Sequence, residues 1–132
     1  MSRRTVPLLL LIWFVTACAS SGSPTATVTP RAELSGAAAH GAELFQGKGR
    51  CATCHALSPN TVIVGPSLAG IATRAESRVE GLSARDYLEE SIISPDAYKA
   101  PGFEEQQMPT TLARELTVEE VEALVAYLLT LQ

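Results

Sequence analysis

Cys51-Ala52-Thr53-Cys54-His55 sets two thiols three residues apart with an imidazole directly behind the second. On a helical turn the two thiols face the same way. This C-x-x-C-H spacing is the attachment signature of a c-type haem: each thiol adds to one vinyl group, and the imidazole lies under the ring within reach of the iron. Three other readings compete. A redox dithiol of thioredoxin type needs a βαβ context, and no alternating apolar strand pattern of any length occurs. Half a zinc site needs a second pair of ligands, for which only His40 and Cys18 remain. A disulfide leaves His55 without a role.

A haem iron held by His55 asks for a ligand on its other side. The chain has two methionines, and Met1 belongs to the N-terminal leader described below. Met108 remains, followed by Pro109 and preceded by the polar run Glu104-Glu105-Gln106-Gln107. It lies in no apolar periodic stretch, so it does not read as a core gap-filler. A thioether with an imidazole is the axial pair that raises a haem potential. His40 is the rival ligand; its plain reading is a polar surface residue beside Gly41.

Helix signals surround the motif. Thr117-Val118-Glu119-Glu120 is a capping box with Leu116 and Val121 as its hydrophobic staple, and Val121, Leu124, Val125, Leu128 and Leu131 follow at helical spacing. Ser83 caps a second helix with Asp86 at its third position; Leu82 and Tyr87 staple it, and Ser94-Pro95 stops it. A third runs from Glu33 or Leu34 to Gln46, ended by Gly47 and Gly49. Stretches 56–70 and 94–112 read as loops, with Val62-Ile63-Val64 extended. Three or four helices with loops this long make a thin scaffold, one that needs something to wrap around.

These features resemble a monohaem class I cytochrome c over nearly all of residues 37–132. Gly41-Ala42-Glu43-Leu44-Phe45 looks like the family's first helix, and Leu124-Val125-Ala126-Tyr127-Leu128 like the last helix that crosses it. The fold implied is all-α, three to five helices wrapped around one haem c attached through Cys51 and Cys54. Gly65-Pro66-Ser67-Leu68-Ala69-Gly70, with Arg74 beyond, is similar to the family's proximal loop. By that resemblance the Pro66 carbonyl orients His55 through Nδ1, Leu68 packs on the haem face, and Arg74 neutralises a propionate. Tyr98 and Phe103 are candidate contacts at the haem edge. One departure is the longer, glycine-rich run from Gln46 to Arg50.

What the resemblance implies is a one-electron carrier, not an enzyme, with His55 and Met108 as axial ligands in a respiratory or photosynthetic chain. Its partners would be redox proteins such as a terminal oxidase or a quinol-oxidising complex. The alternatives are a haem subunit fixed in a larger oxidoreductase complex, or a haem protein whose labile Met108 opens the iron to small ligands.

The first thirty residues have a different composition. Ser2-Arg3-Arg4-Thr5 precedes an apolar run from Val6 to Ala17, too short to span roughly 30 Å of hydrocarbon but apt for an export signal. Val15-Thr16-Ala17-Cys18 resembles a bacterial lipobox, in which the cysteine is acylated. A plain cleaved signal and a retained helical anchor are the other readings, the anchor disfavoured by the short apolar run. Residues 1–17 are thus expected to be a signal peptide, 18–32 a lipidated Cys18 with a Ser/Thr/Pro linker, and 33–132 the cytochrome domain. That would put the protein at the outer face of a bacterial membrane.

Length and charge agree with this plan. The 132 residues suit one domain, and 46% apolar with 18% charged excludes a disordered chain. Loss of Arg3 and Arg4 with the leader leaves eight cationic against fourteen acidic residues, a charge of −6. There is no Lys/Arg-rich run, so no nucleic-acid partner is expected.

Overall fold

The computed structural model describes Leu34 and residues 36–132. The expected signal peptide, Cys18 and linker lie outside the described residues. Those described form five α-helices, α1 (Ala37–Gln46), α2 (Ile71–Ala75), α3 (Ala84–Ile93), α4 (Leu112–Glu115) and α5 (Val118–Leu128), with a 3-10 turn at Cys51–Thr53. Among the described residues there is no strand, and no helix is long and apolar enough to cross a membrane.

The caps form as expected from the sequence. The Thr117 hydroxyl accepts from the Glu120 amide at 3.3 Å, and the Glu120 carboxylate accepts from the Thr117 amide at 2.9 Å. Ser83 accepts from the Asp86 amide at 3.2 Å and starts α3. The first helix, however, begins at Ala37 rather than at Glu33 or Leu34. Gly36 stands at φ +54°, ψ −124°, a backbone outside the helical region that glycine adopts without strain. Leu131 likewise lies past the end of α5, where its carbonyl accepts from the Ala72 amide at 3.0 Å. Helices α2 and α4 occupy stretches with no helical periodicity to mark them.

The first and last helices form the frame. Gly41 of α1 is buried against α5, so close that a Cβ there would overlap the Ala123 carbonyl oxygen and stand 2.8 Å from Tyr127 Cβ. One turn on, the Phe45 and Tyr127 rings meet edge to face with centroids 5.6 Å apart. Phe45, Leu124 and Val125 are the largest fully buried side chains. Helix α3 adds Tyr87, Leu88 and Ile92 to the same apolar cluster. Phe45, Leu88, Ile92, Leu124 and Leu128 also line a cavity, so part of the core faces a space that the protein does not fill.

Candidate haem-binding site

The attachment motif is held by the backbone around it. The 3-10 turn at Cys51–Thr53 follows Arg50, which sits in the left-handed region at φ 52°. That strained residue is fixed on several sides. Its amide donates to Gly47, its carbonyl accepts from the Thr53 amide and hydroxyl, and its guanidinium bonds Glu115 Oε2 at 2.8 Å. Lys48 similarly pairs with Glu120 Oε2 at 2.6 Å. The glycine-rich run before the motif is therefore tied to α4 and α5. Both cations that flank the motif are engaged within the chain.

Downstream, the chain folds back on the motif. The Val64 and Gly65 amides both donate to the Cys54 carbonyl, and the Leu68 amide donates to Ala56 O at 2.8 Å. This brings Pro66 O within 2.8 Å of His55 Nδ1. A carbonyl oxygen can only accept, so Nδ1 carries the proton and Nε2 keeps its lone pair. The contact selects the tautomer a metal ligand requires. Gly65 permits it by proximity: a Cβ there would lie 2.5 Å from His55 Cε1.

Cys51, Cys54, His55, Pro66, Leu68, Arg74 and Met108 all line the one cavity, together with Tyr98 and Phe103. His40, the rival ligand, is exposed on α1 and is not among the lining residues. Both thiols are unbonded. Burial pushes the Cys51 thiol above its ordinary value, the reverse of the lowered pKa that activates a redox dithiol. Among the described residues no three His, Cys, Asp or Glu side chains converge as a metal-ion site.

Arg74 is held by the proximal loop. Its guanidinium donates to the Ala69 carbonyl and, at 2.8 Å, to the Ser67 carbonyl, so it braces the proximal loop. These acceptors are neutral, and its charge remains on the cavity wall. Arg78 and Lys99 line the cavity too, and no Asp or Glu does. The sequence reading missed both. Arg78 had one available signal, its position four residues after Arg74.

The residues present fit haem c. The cavity offers two unbonded thiols and a correctly protonated imidazole on one wall, and a methionine among its other lining residues. It adds apolar walls for a flat macrocycle and two cations, Arg74 and Arg78, that face the ring's two acid groups with no carboxylate among the lining residues. Residues 38–132 match the family model described as Cytochrome c. The chain belongs to the cytochrome c family. This family binds haem c, and its members generally carry electrons rather than catalyse reactions. No individual curated protein matches the chain closely enough to count as a relative.

One further feature of this cytochrome c was not read from the sequence. From Cys51 to Thr73 no Asp, Glu, Lys or Arg occurs. In that span Leu57, Val62, Ile63 and Val64 are exposed, Val62 at 61%, and Val64 also lines the cavity. With the exposed Ser58, Asn60 and Thr61 they make the surface that follows the attachment motif uncharged and partly apolar.

Proposed function

We propose that this protein is a one-electron carrier holding one haem c through Cys51 and Cys54, with His55 and Met108 as axial ligands. The observation that carries this reading is that these four side chains line one cavity. When bound, the haem supplies reversible Fe(III)/Fe(II) exchange. The chain does the rest. Pro66 O holds the Nδ1 proton and aims Nε2. Met108 supplies the thioether, and Arg74 and Arg78 offset the acid groups. The apolar walls exclude water. With both axial positions taken by side chains, no site is left for a substrate.

Partner contact is proposed at the uncharged rim formed by Leu57, Val62, Ile63 and Val64. It fits a redox protein presenting an uncharged, partly apolar face, such as a terminal oxidase or a quinol-oxidising complex. Anchoring through an acylated Cys18 at the outer face of a bacterial membrane is part of the same proposal. Its support is the basic, apolar and small-residue succession ending at Cys18.

The test is a pair of substitutions. Met108→Ala is expected to lower the reduction potential strongly and to open the iron to carbon monoxide, whereas His40→Ala does neither. Equal effects of the two would overturn the ligand assignment. For the anchor, mass spectrometry of the purified protein should show an acylated N-terminal Cys18. An unmodified Cys18 or a retained Met1 would reject it.

A further inference from the structure

Met108 lies in a stretch, residues 94–111, without helix or strand. What holds it in place is therefore a matter of a few contacts. Most hydrogen bonds in the stretch are local turns: Ala97 to Ser94, Phe103 to Ala100, and Gln106 to Phe103. Gln107 and Met108 take part in no hydrogen bond among the described residues. The near end of the stretch is anchored, since the Tyr98 ring meets Tyr87 of α3 edge to face at 5.7 Å.

One side chain reaches across it. Lys99 Nζ donates to the Gln106 carbonyl at 3.0 Å, spanning seven residues, and pairs with Asp96 Oδ1 at 2.7 Å. The side chain is 24% exposed, and Lys99 is among the residues that line the cavity. An ammonium has three donors and is satisfied by several acceptors at once. Here it joins the anchored end, at Asp96, to a carbonyl two residues before Met108. A charged donor makes such a bond stronger than a neutral one.

We infer that Lys99 is a positioning residue for the Met108 thioether. Its ammonium closes the loop so that Met108 stays on the cavity wall instead of swinging out with the polar run before it. The inference rests on the reading of Met108 as an axial ligand.

The test uses the haem-loaded protein. Lys99→Met keeps the stem and removes the charge; Lys99→Arg keeps a donor. The readouts are the weak red absorption band of thioether-ligated ferric haem and the rate of carbon monoxide binding to the ferrous form. Lys99→Met is expected to weaken the band and to speed carbon monoxide binding roughly tenfold, the factor for one charge-assisted hydrogen bond lost. Lys99→Arg should restore most of both, and far-ultraviolet circular dichroism should be unchanged throughout.

If the wild type has the band, Met108→Ala lacks it and Lys99→Met keeps it with unaltered carbon monoxide binding, this inference alone is wrong. If Lys99→Met fails to fold, Asp96→Asn decides it: a weakened band with faster carbon monoxide binding supports the inference, and an unaltered band and rate reject it. A wild type without the band overturns the Met108 reading and this inference with it.

Discussion

Gly41 and Gly65 each mark a place where one methyl group is too many. At Gly41 the obstacle is a backbone carbonyl of α5, which cannot rotate aside. Gly41→Ala is therefore expected to destabilise the protein by about 1–3 kcal/mol, despite the better helix propensity of alanine. Thermal unfolding measures it, and an unchanged midpoint would mean that α1 and α5 slide past each other freely. At Gly65 the obstacle is the His55 ring itself. Gly65→Ala should displace the imidazole from Pro66 O and, by making it a weaker donor, raise the haem potential, with the thioether links intact. At this scale the sequence was most legible where covalent chemistry fixes a spacing, as in Cys51, Cys54 and His55. It was least legible for Lys99 and Arg78, whose roles depend on a fold that brings distant backbone to them.

Helices announced by caps were readable, and those made only by tertiary context were not. Thr117 and Ser83 have acceptors that work within three residues, so their helices follow from local chemistry. Helices α2 and α4 have five and four residues, too short for any periodicity to show. The start of α1 was misplaced because the Gly36 backbone turn leaves no mark in hydropathy. Thr117→Ala should destabilise the protein by about 1 kcal/mol in chemical denaturation, the usual effect of losing such a cap. Glu120 gives a pH dependence of known sign. The Lys48 ammonium and then the Thr117 amide hold its carboxyl below the ordinary glutamate value. A depressed folded pKa stabilises the protein above the unfolded value and stops doing so as pH falls through the folded one. Acid unfolding of Glu120→Gln should thus show a shallower loss below the carboxylate range. A parallel curve would mean that the Lys48 contact adds nothing.

For the whole molecule, the rim beside the attachment motif sets the expected behaviour in solution. Surface charges more than about 8 Å apart are largely screened at physiological salt, and here the two cations that precede the motif are already paired with Glu115 and Glu120. Electron transfer to a membrane-bound partner should therefore depend weakly on ionic strength. Val62→Asp should slow it several-fold without altering the haem spectrum. A steep fall with salt in the wild type would place the docking surface elsewhere. Replacing both Cys51 and Cys54 by serine is expected to remove covalent haem and the ordered fold together, because the apolar cavity walls then face water. Circular dichroism checks this, and a protein that stayed helical would refute it. The crossing of α1 with α5 also bears on the order in which the molecule is made. The pair that frames the domain joins its earliest helix to its last, and closing so long an intervening chain is slow. During synthesis residues 51–55 emerge well before Leu124 and Leu128, which line the same cavity, are in place. The two thiols thus pass through an interval in which they are accessible and their future pocket has no floor. With haem attached as proposed, ring addition is expected before α5 packs on α1, so that the domain closes over a cofactor already joined to it.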